Sequence, residues 1–170
     1  LLRDKSISAV HRLDRETSGC LIFARGTEAR ERAIELFREH AVKKTYRAIV
    51  SGRVKEGTFR INTPIDGKSA LTVARTIRSG KTASHLELYI ETGRTHQIRK
   101  HLASTGHYVL GDKVYGRVSG PVSDSEAGVV RQMLHASEIS FCHPFSGKRL
   151  HIKAPIPHDF LTRAKKLRIS

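Results

Sequence analysis

Tryptophan is absent from this 170-residue chain, methionine occurs once, and Cys20 and Cys142 are the only cysteines. Two isolated thiols exclude a disulfide framework and a paired-cysteine metal site, and make a reducing compartment, the cytoplasm, the default expectation. No run of about 18 apolar residues occurs, so neither a transmembrane helix nor a membrane partner is expected. Acidic residues are the other scarcity: 16 Asp and Glu stand against 31 Lys and Arg, a formal charge of +15. That imbalance points to polyanions, chiefly nucleic acid, with ribosomal or membrane-surface attachment as the plainer competitor. The basic residues run through the whole chain, which favours a folded basic face over a disordered arm. A chain of this length suits one domain and can bury roughly 70% of its unfolded surface.

What is present falls into strand and helix signals that do not alternate regularly. The apolar run Cys20–Ala24 reads as a buried strand. Thr27 is placed to cap a helix over 28–40 with Ala33, Ile34, Phe37 and Ala41 on one side. Strands are expected over 45–50, 58–61, 73–78 and 83–91, the last two joined at Ser79–Thr82 as a hairpin. In the second of these, Leu86, Leu88 and Ile90 alternate with His85, Glu87 and Tyr89, the period of a half-buried strand. Thr95 is placed to cap a helix over 96–105 that Gly106 stops. The Gly, Ser and Pro of 117–128 suggest a mobile loop, followed by strands at 136–141 and 149–153 and a basic helix from Asp159. The expected class is α+β, with a mixed, largely antiparallel sheet and flanking helices.

Three lures carry no chemistry. Gly80-Lys81-Thr82 ends like a phosphate-binding loop, but the glycine that motif needs at position 75 is Arg75. Ten histidines show no metal-ligand spacing and read as surface or RNA-facing groups, His96 and His101 lying off one helical face. Cys142 reads as a buried structural thiol.

Two clusters do carry chemistry. His11 to Gly19 sets Asp14 between Arg12 and Arg15, cations that favour an ionised carboxylate. Gly93 to His101 loads a helix start with Arg94, His96, Arg99 and Lys100, which suits contact with phosphate and, taken alone, equally an ordinary solvated basic face. Glycosidase chemistry needs paired carboxylates, whereas Asp14 sits among cations and Asp112 is the one other acid in a motif.

Taken in order, these segments resemble the catalytic domain of the RluA-type RNA pseudouridine synthase family. His11 to Gly19 matches its H-R-L-D-R-x-T-S-G segment, and Lys44 to Gly52 matches K-x-Y-x-A-x-V-x-G. Gly93 to His101 matches G-R-T-H-Q-I-R-x-H, and Gly111 to Gly116 matches G-D-x-x-Y-G. Arg131, Leu134-His135-Ala136, His143-Pro144 and Ala154 to Pro157 follow in order, so the likeness covers nearly all 170 residues.

The resemblance implies isomerisation of selected uridines in ribosomal or transfer RNA to pseudouridine, without metal or organic cofactor. It makes Asp14 the catalytic aspartate, attacking either sugar or base, with Arg99 as its ion-pair partner and Tyr46 stacking on uracil. Arg12 stands where relatives insert an arginine into the space left by the flipped base. Arg15, Arg94, His96 and Lys100 are implied RNA contacts, while Leu13, Thr17, Ser18 and Gly19 support the aspartate loop. An upstream strand common in the family is absent, so residues 1–170 are expected to be one catalytic domain within a longer chain, acting as a monomer. A catalytically silent RNA-binding relative, working in ribosome assembly or RNA folding, is the competing reading.

Overall fold

The computed structural model describes residues 6–116 and 128–170. Its centre is a sheet in the order β2-β8-β4-β7-β6-β5, with β9 also on β8. The strands are β2 (Ser18–Gly19), β4 (Lys43–Ser51), β5 (Thr58–Ile61), β6 (Thr72–Ser79), β7 (Ala83–Ile90), β8 (Leu134–Cys142) and β9 (Arg149–Lys153). Every pairing is antiparallel except the short parallel contact of β2 with β8, so the α+β, largely antiparallel expectation holds. A separate ribbon pairs β1 (Ile7–Ala9) with β3 (Phe23–Arg25). Among the described residues there are three helices: α1 (Thr27–Arg38), α2 (Gln97–Ser104) and α3 (His158–Lys166).

Alternation along the central strands builds two cores. Ala48, Val50, Leu86 and Leu88 share one with Ile98 and Leu102 of α2. Ile49 and Ala83 share the other with Phe160 and Ala164 of α3. Leu86, Leu88 and Leu102 are fully buried, and burial of such a side chain contributes about 1.5–3 kcal/mol.

Several local expectations change. Cys20–Ala24 is not one buried strand, and Leu21 and Phe23 are 39% and 45% exposed. The Cys20 amide donates to Ala136 O at 2.9 Å, but beyond it β9 holds the edge of β8 over 138–142, so the chain turns away to pair β3 with β1. The strand reading of 83–91 places His85 and Glu87 half in solvent. Both are buried, because α3 covers His85 and two arginines cover Glu87.

Thr27 and Thr95 are not caps. α1 starts from Gly26 and buries no residue fully, and Ala41 is exposed. α2 starts after His96, which adopts φ 55°. No side chain caps it; Gln97, its first residue, fixes the turn before it, its Oε1 accepting from the Arg94 amide and the Thr92 hydroxyl. Cys142 is exposed at the end of β8, not buried. His101 and His135 are buried and hydrogen-bonded, contrary to the surface reading. The proposed mobile loop at 117–128 lies outside the described residues except for Gly128.

Candidate active site

Asp14 opens a tight turn closed by the Thr17 amide donating to Asp14 O at 2.9 Å. The turn is fastened to the start of β8 and the segment before it. Gln132 Nε2 donates to Thr17 Oγ1 at 2.6 Å, Arg131 Nη1 to Glu16 O at 3.2 Å, and Ser18 Oγ lies 2.9 Å from His135 Nδ1. Arg131 is itself fixed by a bidentate pair with Asp159, at 2.7 and 2.9 Å. Gly19 ends the turn at φ 122°, where a Cβ would sit 2.1 Å from Ala136 O. Only glycine lets the backbone approach β8 this closely.

Arg99, from the first turn of α2, reaches two carboxylates. Nε and Nη2 donate to Asp112 at 2.7 and 2.8 Å, and Nη1 donates to Asp14 Oδ2 at 3.0 Å. Asp112 is completely buried and also accepts the Val114 and Tyr115 amides at 2.9 and 3.1 Å. Burial works against its ionised form. The hydrogen bonds, chiefly from Arg99, outweigh burial and hold its pKa below the ordinary aspartate value. The same bonds, Asp112's first and then Asp14's, raise the pKa of Arg99 against the effect of burial and keep it a cation. Asp14 keeps 22% of its side chain exposed, facing a cleft lined by Arg12, Leu13, Tyr46, Arg94, His96 and Leu134.

Tyr46 stands at a bulge in the β4–β8 ladder, where Thr45 pairs with Glu138 and Tyr46 with Ala136, leaving Ser137 extra. Bulges re-aim side chains beside sites. Burial, with Asp14 and then Cys20 nearby, pushes the Tyr46 phenol up to about 12. It is therefore protonated at neutral pH, suited to stacking and to donating a hydrogen bond. His96 Nδ1 lies 3.0 Å from Tyr115 Oη, and Nε2 lies 4.0 Å from Asp14 Oδ1. The Arg99 guanidinium sits 5.1 Å from the Tyr115 ring centre.

Asp14, Tyr46 and Arg99 are thus brought together, with Arg12, Arg94 and His96 around the same cleft. Arg15 and Lys100 do not line it. Arg15 is exposed, and Lys100 pairs with Asp66 at 3.0 Å. Sequence reasoning missed Asp112 as the anchor of Arg99 and Tyr115 as the partner of His96. The signal available was a lone acid and an aromatic in Gly111-Asp112-Lys113-Val114-Tyr115-Gly116, close behind the basic helix start.

Chemically, the cleft offers one accessible carboxylate beside an aromatic ring and several cations. Asp14 is the only carboxylate among the described residues that line it. Asp112 is sealed behind Arg99, so two-carboxylate glycoside hydrolysis has no second acid to use.

The family model for RNA pseudouridylate synthase matches residues 1–104. The chain belongs to that family. It is 38% identical to ribosomal large subunit pseudouridine synthase D of Zymomonas mobilis over 95% of its own length and 56% of the relative's. Against the protein of the same name in Neisseria meningitidis serogroup B the identity is 36%, over 94% and 48%. The chain spans about half the length of these curated relatives. The solved structure of human RNA pseudouridylate synthase domain containing 1 matches with a TM-score of 0.76 at 26% identity, covering 96% of this chain and 81% of that one. The human domain containing 4 shares the fold at 24% identity and a TM-score of 0.80, over 96% and 77%. No helix among the described residues is long and apolar enough to cross a membrane.

Proposed function

We propose that this chain isomerises uridines in RNA to pseudouridine, with Asp14 as the catalytic carboxylate. The observation that carries the reading is the Asp14–Arg99–Asp112 array: an aspartate partly open to a cleft, held by an arginine that a buried second aspartate keeps in place. Asp14 attacks the sugar or the base of a nucleotide taken out of its stack, the N1–C1′ bond breaks, the C1′–C5 bond forms, the bond to Asp14 breaks again, and the proton lost from C5 is balanced by one gained at N1. Tyr46 forms a wall on which uracil stacks. As its phenol is protonated at neutral pH, it accepts the C5 proton only after losing its own.

Unstacking a uridine costs a few kcal/mol. Arg12, exposed at the cleft rim, offsets part of that cost by stacking into the gap and meeting phosphate. Arg94 and His96 contact the backbone beside it, while Arg15 and Lys100 contribute field rather than contact. The relatives' names support large-subunit ribosomal RNA as the substrate. The protein works as a monomer in the cytoplasm and uses no cofactor.

The test is tritium release from ribosomal RNA labelled at uridine C5, taken from a strain lacking this gene. Release above background, lost in Asp14→Asn with RNA binding kept, is the expected result. Binding without release from any RNA pool would leave the silent RNA-binding relative as the better account.

A further inference from the structure

Beside the cleft runs a second groove, between α1 and the segment after β7. It shares Arg12, Tyr46 and Arg94 with the cleft, so the two are continuous. To these it adds Arg38, His40 and Lys44, over a floor formed by Ile34 and Phe37. Glu91 is the only carboxylate among the described residues lining it.

The basic side chains here are arranged, not scattered. His40, just past α1, takes φ 55° and sets Nδ1 2.9 Å from Glu91 O. Lys44 Nζ donates to Glu91 O and Thr92 O at 3.3 and 3.5 Å and lies 6.0 Å from the Phe37 ring centre. Arg12, His40, Lys44 and Arg94 have no carboxylate partner among the described residues, and Arg38 has only the exposed Glu35 at 3.0 Å. Lys44 is also partly removed from water, which strengthens its attraction for an anion that comes to it. Three cations without a carboxylate, Arg12, Lys44 and Arg94, on a lining that leads out of the cleft suit a polyanionic strand, with His40 as a hydrogen-bonding neighbour.

We propose that this groove is a second RNA-binding site, which takes the single-stranded phosphodiester backbone next to the target nucleotide along Arg12, Lys44, His40 and Arg38. The proposal rests on the chain being an RNA-modifying enzyme, and it assigns α1 and the start of β4 to substrate holding. A single strand can lay unpaired bases on the Ile34 and Phe37 floor, whereas a duplex keeps its bases stacked, so the occupant is the strand. The groove takes a strand that leaves the cleft unpaired.

The test measures binding of fluorescent oligouridylates, 3 and 12 nucleotides long, to the full chain by anisotropy across a salt series. Arg38→Glu is expected to weaken the 12-mer about five- to tenfold while changing the 3-mer less than about twofold. Arg38→Ala is expected to lower the salt slope for the 12-mer by about 0.7, the value of one single-strand phosphate contact. Lys165→Glu, the same charge change on exposed α3 across the sheet, serves as the control and leaves both oligomers unchanged. Equal weakening by Arg38→Glu and Lys165→Glu, or no length dependence, would overturn the groove and leave a general field. A hairpin duplex bound as tightly as the 12-mer, with the same loss in Arg38→Glu, would also overturn it. None of these readings needs turnover, so a failure of tritium release and a failure of the groove are told apart.

Discussion

Asp14 and Asp112 share one guanidinium and are otherwise unlike. Asp112 is completely buried, takes two of Arg99's N–H groups and accepts two backbone amides as well. Asp14 takes one N–H, on a turn tied to a distant strand, and remains partly open. The first carboxylate is part of the architecture, and the second is presented by it. A reacting carboxylate held by several donors would be a weaker nucleophile. Here most of Arg99's bonding is taken up by the acid that the cleft does not reach.

The comparison breaks most sharply at Asp14. Asp14→Asn should reduce tritium release by at least about 10⁴-fold, while urea unfolding shifts by no more than about 1 kcal/mol, one hydrogen bond's worth. Asp112→Ala should do the reverse in stability. It strips a buried cation of its main partner, a change that costs about 3–5 kcal/mol, and the urea midpoint should fall accordingly. Turnover in Asp112→Ala should drop with kcat rather than KM, since Arg99 loses its position and the cleft rim does not. Equal stability losses in the two variants would dissolve the distinction between anchor and presented acid.

A smaller effect comes from histidines that stay neutral. Burial, with Lys44 adding, lowers His11 to about 4, and Ile22 N donates to its Nε2 at 3.0 Å. Burial, with Arg47 adding, lowers His85 to about 4 as well. Neither ring nitrogen of His85 makes a hydrogen bond, and the nearby Ile169 backbone opposes the shift from outside bonding geometry. Unfolded histidine binds a proton near 6.5, so the unfolded state gains protons first as pH falls. Stability should therefore be full above about pH 6.5 and decline toward pH 4, by on the order of 1–3 kcal/mol per histidine. Urea midpoints across this range should show the decline, and His85→Leu should flatten it while leaving cleft binding unchanged. Smallest of all, Arg15→Ala and Lys100→Ala should alter RNA affinity less than about threefold, against about tenfold for Arg12→Ala at the cleft rim, read by anisotropy.

The strands were the most legible part of the sequence, because a two-residue period survives burial on one face. β5 and the β6–β7 hairpin fall where the pattern puts them. The pattern misled where neighbours in space decide the outcome. Cys20–Ala24 is apolar enough for a core strand, but the edge it would follow belongs to β9. Thr27 and Thr95 have capping side chains, yet the backbone reaches the helices through Gly26 and through His96 at positive φ. In the candidate site, Asp14, Tyr46 and Arg99 were legible through motif resemblance, since nothing local in Arg99's own segment names a partner 85 positions away. Asp112 stayed hidden because its role is to be bonded on all sides, and a sequence shows an acid without showing what surrounds it.

The fastening of the aspartate turn to residues 131–135 also sets an order of events during synthesis. Glu16 and Thr17 wait for partners 115 positions later, and Ser18 for one 117 later. At about 5–20 residues per second, that interval lasts roughly 6–23 s. Over the last part of it, the roughly 2–6 s between Arg99 and Arg131, a nascent chain carrying Asp14, Tyr46 and Arg99 lacks the strand that locks the turn. The cleft is assembled late, so an unfinished chain beside its own messenger RNA carries the proposed catalytic side chains without the strand that fixes the aspartate turn.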